Sequence, residues 1–296
     1  MPRTLGFTQK RQKWLTNRTT KLLGAPLRQP ITHEHSYARK LDRLVDEMTR
    51  EVSRAVKKLF RSDESKARFA EDASISSTAR ILLNQLTRKF EKKFSSRASI
   101  FAKAMTSKAD QSSKSTMFGS LKKLSGGLSI KTDYLTEDLK DILKASISEN
   151  VDLINSIPKT YMEQIKGEVM RTITQPEQGG IVALQEKIEK TLSERDKQVH
   201  NRARNIAYDQ TRKAFQNLNA GRMRAAGVKK YTWLHSGAGQ KPREYHQKVL
   251  NGQVFDLDDP PIIDPNTGER GIPGQLINCR CTMLPIVEFN DGEEVL

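Results

Sequence analysis

The only two cysteines of this 296-residue chain stand one residue apart, Cys279 and Cys281, in the stretch PGQLINCRC. Upstream, HSGAGQKPREYH holds His235 and His246, two of its five histidines. Residues i and i+2 of a strand face the same side, so the two thiols are expected to point together. Bridging them across one residue fits ordinary disulfide geometry badly. Two thiolates on one face, completed by imidazole, suit a soft divalent ion in a tetrahedral site. His246 and His235 are the nearest imidazoles, and Asp256, Asp258 or Asp264 are alternative oxygen ligands. A structural zinc is therefore the cofactor these residues could hold. Because Cys-x-Cys departs from the common Cys-x2-Cys spacing, a plain buried cluster of two thiols and a hydrogen-bonded histidine is the other reading.

These side chains must be positioned by a C-terminal segment unlike the rest of the chain. Up to Gly227 the apolar residues recur at helical spacing. Tyr37, Leu41, Leu44, Met48, Val52, Ala55 and Leu59 form one stripe over 33–60, which predicts an amphipathic helix. A second stripe covers 75–106. The small polar run TSKADQSSKST (106–116) is expected to be a loop. Further helices are expected over 135–155, ending before Pro158 because the residue preceding proline avoids helical dihedrals. Others follow over 159–173, 181–194 and 196–226, with QPEQGG as a turn and Gly227 as the last stop.

Beyond Gly227, VKKYTWLH and QVFDL read as short strands, with Trp233 as an apolar anchor. Asn251-Gly252 reads as a tight turn between them, Gly252 taking the positive-φ position. A Pro/Gly/Asp-rich loop and a closing strand, CRCTMLPIVEF, complete the pattern. The expected fold is mainly α, with long amphipathic helices followed by a small α+β, short-stranded, loop-rich C-terminal module. The expected divisions are a basic flexible arm (1–32), a basic helical region (33–155), a second helical region (156–227) and the β-rich part (228–296). Modules of that size often need an extra staple.

Charge is unevenly placed. The net charge is +16, and residues 1–130 hold 28 Lys and Arg against 11 Asp and Glu, so the remainder is near balance. A basic front half points to a polyanion, most simply nucleic-acid phosphates. Arg11, Lys13, Arg18, Lys21, Arg54, Lys57 and Lys58 are its candidate contacts. Aromatic residues make up 6% of the chain, too few in this half for a base-stacking platform. No apolar run is long enough to span a membrane. The basic N-terminus lacks a signal peptide's apolar core, and two cysteines at this spacing favour a reducing compartment. Phosphate-loop, dinucleotide and Ser-His-Asp signatures do not occur.

The order of the C-terminal features is more specific than any one of them. YTWLHSGAGQKPREYHQKVLNGQVFDL, a Pro/Gly loop and then PGQLINCRCTMLPIV closely resemble the phage Mu protein F-like family of minor head, or head morphogenesis, proteins of tailed bacteriophages. The residues that carry the resemblance are Arg243, His246, Asn251, Gly252, Pro273, Gly274, Asn278, Cys279, Arg280 and Cys281. RNIAYDQTRKAFQNLNAGRMRAAGV resembles the family's entry helix, with Tyr208 where an arginine often stands, and the resemblance covers about 155–289. The loop GAGQK lacks the acidic residues many members carry there.

The resemblance implies a low-copy head component, built into the procapsid near the portal and exposed to the capsid interior. Its implied partners are the portal protein, the major capsid protein and packaged double-stranded DNA, contacted without sequence preference; no membrane is involved. Its implied location is the virion, after assembly in the host cytoplasm. No cargo domain is expected after the module, and no enzymatic activity is expected. Two alternatives remain open on the residues alone. One is a metal-dependent nuclease or other phosphoryl-transfer enzyme using Arg243, Glu244 and His246 as charge clamp and general base. The other is a transient DNA-binding scaffolding protein. Within the module, Arg243 and Arg280 are expected to pair with the Asp-rich loop or with a partner's carboxylates.

Overall fold

The computed structural model describes residues 20–61, 73–125, 136–174, 180–237 and 242–289. Strand β1 (Thr20–Leu23) precedes four long helices, α1 (Ile31–Arg61), α2 (Ala73–Ser125), α3 (Glu137–Thr174) and α4 (Gly180–Ala225). The C-terminal part then contributes β2 (Lys230–Leu234), a π-helical turn (Tyr245–Leu250), β3 (Val254–Asp256), β4 (Ile262–Asp264), β5 (Glu269–Arg270) and β6 (Thr282–Phe289). The chain is thus dominated by long helices and closes in a small antiparallel, loop-rich region, as its periodicity predicts. Among the described residues no helix is long and apolar enough to cross a membrane.

Two compact units are present. One comprises Glu34–Met105 and Ser146–Gln210, which is α1 with parts of α2, α3 and α4. Its core takes in most of the α1 stripe read from the sequence, but at its end Val56 and Phe60 bury in place of the expected Ala55 and Leu59. Tyr37, Leu41, Met48, Val52 and Phe60 bury from α1, Leu83, Phe90 and Phe94 from α2, Ile154, Tyr161 and Ile165 from α3, and Ile188, Leu192 and Val199 from α4. Within this core Tyr161 donates to Asp196 at 2.7 Å and Ser53 donates to the same carboxylate at 3.1 Å. Burial nevertheless pushes the Asp196 pKa up.

The other unit comprises Met1–His33, Thr106–Ala145 and Thr211–Leu296. Its four-stranded sheet has the order β1-β6-β2-β3, antiparallel throughout. Strand β2 alternates buried and half-buried residues, so Tyr231 and Trp233 enter the core side by side on one face. They join Leu27, Met117, Met223, Leu250, Leu257, Ile263, Met283 and both cysteines in one cluster. A separate two-stranded ribbon pairs β4 with β5.

Four expectations about element limits are corrected. The run 106–116 is not a loop but lies inside α2. Thr106, Ala109, Ser112, Ser113 and Met117 all bury, at helical spacing. Their hydroxyls have partners: Ser113 donates to Asn219 at 2.7 Å, Ser112 meets His33 Nδ1 at 2.9 Å, and Ser120 donates to the Ala25 carbonyl at 2.9 Å. Small polar side chains are weak helix formers, and here tertiary hydrogen bonds decide.

Pro158 does not end a helix; α3 runs through it. Ile154 and Ile157 before it and Tyr161, Met162 and Ile165 after it are all buried. Burying each such side chain contributes about 1.5–3 kcal/mol, enough together to outweigh the roughly 3 kcal/mol cost of an interior proline. The helices expected over 181–194 and 196–226 are one, α4. No Gly or Pro separates them, and Asp196 bonds to Tyr161 and Ser53 rather than capping a new start. Finally, Asn251-Gly252 does not join two strands directly, because the turn Tyr245–Leu250 intervenes before β3.

Most of the basic arm, including Arg11, Lys13 and Arg18, lies outside the described residues. Residues 20–23 of that segment are the edge strand β1, and α1 begins at Ile31. The expected turn QPEQGG lies almost wholly outside the described residues, and so does most of GAGQK.

Candidate metal centre

Three sequence-distant pieces converge on one point beneath the sheet. The turn Tyr245–Leu250 exposes its Gln, Lys and Val side chains and turns His246 and Leu250 inward. Trp233 from β2 covers the imidazole edge-on, with ring centroids 5.1 Å apart at 76°. Cys279 and Cys281 come from the segment just before β6, not from the strand itself. A turn precedes them: Asn278 takes a left-handed conformation, φ 60°, and the Cys279 amide donates back to the Leu276 carbonyl at 2.9 Å.

The resulting cluster is compact. His246 Nδ1 lies 3.6 Å from Cys279 Sγ and 3.7 Å from Cys281 Sγ, and all three side chains are buried. The other ring nitrogen, Nε2, is 2.9 Å from the Ile263 carbonyl. A carbonyl can only accept, so Nε2 carries a proton and Nδ1 is the atom presented to the sulfurs. Burial works against charge on His246, but its bonds to Cys279 and to the Ile263 carbonyl outweigh this and its pKa is raised. Hydrogen bonding from Cys281, then from His246 and the amides of Cys281 and Gly274, holds the Cys279 thiol well below its ordinary range despite burial. The bond to Cys279, together with burial, pushes the Cys281 thiol up.

The family-motif residues take definite places around this point. Gly274 has φ +86°, and a side chain there would meet Gln216 Cγ at 3.0 Å. It follows Pro273, which is buried. Gly252 has the expected positive φ, +81°, and its amide donates to the Trp233 carbonyl at 2.8 Å. The Asn251 side chain accepts the His235 amide at 2.9 Å. Trp233 is wholly buried.

Several candidates stand elsewhere. His235 is not in the three-residue group; its Nδ1 accepts the Gly237 amide at 3.1 Å. Asp256 and Asp264 cap local turns by accepting the amides of Asp258 and Asn266. Asp258 pairs with Arg224 at 2.9 Å. The expected pairing of Arg243 with the Asp-rich loop is replaced by a 3.0 Å bond to the Ile277 carbonyl; Arg224 and Arg270 meet the loop's carboxylates instead. Arg280 is exposed. Glu244 pairs with Lys248 at 3.0 Å, and both ring nitrogens of His246 are engaged. The clamp-and-base arrangement of a nuclease is therefore not assembled by Arg243, Glu244 and His246. Of the basic candidates, Lys21 pairs with Glu288 and Lys57 with Glu189, while Arg54 and Lys58 are exposed.

Sequence reasoning missed the buried pair Arg222–Asp110, in which Arg222 also donates to Ser113 at 2.7 Å. A faint signal existed in the α4 run Gln216, Asn219, Arg222, polar residues three apart on one face.

Long helices leading into a small sheet, with a buried Cys-x-Cys/His cluster, define the class: a helical scaffold that carries a compact C-terminal module. Residues 163–284 match the family model described as Phage Mu protein F like protein, so that segment is similar to that family. An uncharacterized protein of Haemophilus influenzae (strain ATCC 51907 / DSM 11121 / KW20 / Rd) is 27% identical over 272 residues, which are 90% of this chain and 56% of the relative. The chain thus spans little more than half the length of that relative. No solved structure matches.

Proposed function

We propose that this chain is a head morphogenesis protein of a tailed bacteriophage or prophage, resident at low copy in the head interior near the portal. The observation that carries this reading is the family match over 163–284. The module is a packed scaffold, with its polar chemistry turned inward on His246, Cys279 and Cys281, which suits a structural part better than a catalyst. Portal and major capsid proteins are its partners, with assembly in the host cytoplasm and final residence in the virion.

The basic N-terminal half gives the chain a second contact. An excess of 17 positive charges over residues 1–130 is suited to phosphates packed at high density. Contact of this kind releases counterions, weakens with salt and reads no sequence. Holding packaged DNA, and aiding its packaging or ejection, are the roles it would serve.

Removing the gene from the phage or prophage that encodes this chain tests the assignment. Filled, infectious heads should fall while capsid and portal proteins are still made, and the wild-type gene supplied in trans should restore them. Unchanged yield and morphology of heads without the gene would overturn it.

A further inference from the structure

We propose that Cys279 Sγ, Cys281 Sγ and His246 Nδ1 bind one zinc-class divalent ion, its fourth position filled by solvent. Four observations carry this beyond the presence of the right residue types.

First, the spacing fits an ion. Bonds of about 2.3 Å to sulfur and about 2.0–2.1 Å to nitrogen, at a tetrahedral angle, place the sulfur and nitrogen about 3.6 Å apart. The two separations are 3.6 and 3.7 Å, and the three ligand atoms all lie within 4.8 Å of one another.

Second, the outer layer is that of a metal ligand. The Ile263 carbonyl takes the Nε2 proton, which fixes the tautomer and ring orientation, as partners of metal-bound histidines do.

Third, the sulfurs are buried: Cys279 is 3% exposed and Cys281 5%, and Trp233 closes the site by packing edge-on against the His246 ring. Two thiolates buried together need a cation beside them. One divalent ion with two thiolates and a neutral imidazole carries no net charge, so the buried site is balanced.

Fourth, the ligands join two chain segments distant in sequence, the turn 245–250 and the approach to β6. A small module gains most from such a tie.

Among the described residues no fourth His, Cys, Asp or Glu joins the group, and the neighbouring segment 238–241 reads Ala-Gly-Gln-Lys. A water molecule is the fourth ligand proposed. On binding, the two protons held among the two sulfurs and Nδ1 pass to solvent as the two sulfur–metal bonds and one nitrogen–metal bond form.

Cobalt(II) and zinc titrations of the full-length wild-type chain, purified under reducing conditions and stripped of metal, test this. Cobalt should give one equivalent of a tetrahedral visible spectrum with sulfur-to-metal charge-transfer bands, and one equivalent of zinc should erase it. His246→Gln and Cys279→Ser should each weaken binding by at least tenfold, in line with the loss even outer-shell changes cause, and Cys279→Ser should lower the melting temperature of the zinc-loaded chain. His235→Ala should leave stoichiometry and spectrum unchanged. A wild-type chain giving no charge-transfer band, or binding with no more affinity than Cys279→Ser, would overturn the proposal. Because the wild-type titration needs no variant to fold, a misfolded mutant cannot mask the answer. The head-assembly assignment stands or falls on its own experiments.

Discussion

Asp110→Ala is expected to destabilise its unit by about 3–5 kcal/mol, the cost of removing one partner from a buried ion pair. Arg222 is 2% exposed at its side chain and Asp110 13%, so water cannot replace the lost carboxylate. The guanidinium would keep its bond to Ser113, but its Nε is already without a partner, and an uncompensated positive charge would remain inside. The double variant Asp110→Ala/Arg222→Met should recover most of the loss, because a buried pair replaced by apolar volume is often close to neutral. Chemical denaturation of wild type, both single variants and the double variant closes the cycle. Additive losses in the double variant would show that packing, not charge, dominates there.

Trp233→Ala should cost a comparable amount, about 3–5 kcal/mol. The indole is wholly buried and packs edge-on against His246 and, at 6.4 Å, against Phe255. With each kcal/mol shifting a melting midpoint by roughly 2–4 °C in a chain of about this size, the loss is on the order of 10 °C. Trp233→Phe should recover part of it by refilling volume. A melting temperature within a degree or so of wild type for Trp233→Ala would mean that the sheet does not depend on this core residue.

What could be read from the sequence follows from how local each signal is. The α1 stripe is visible because a helix repeats every 3.6 residues, and Tyr37 through Val52 bury as that repeat requires, while beyond them Val56 and Phe60 replace Ala55 and Leu59. Residues 106–116 misled because Ser113 is held by residues over a hundred positions away, donating to Asn219 and accepting from Arg222, which no local signal shows. Pro158 misled in the same way: a local rule was overridden by burial on both sides. The cluster His246, Cys279 and Cys281 was legible from rarity of type. The left-handed turn at Asn278 that leads into the two cysteines was not, since it belongs to the backbone. His235 was drawn in by proximity in sequence, yet the 2.9 Å bond from its amide to Asn251 and its own ring contact with Gly237 keep it on a separate task.

The proposed residence in a phage head rests on the family match over 163–284. Quantitative mass spectrometry of procapsids and mature virions made by the encoding phage or prophage tests that most directly. The account predicts a small, constant number of copies in both particles. Absence from mature virions would contradict residence in the head and identify a factor that departs during assembly; absence from both particles would contradict the head assignment itself.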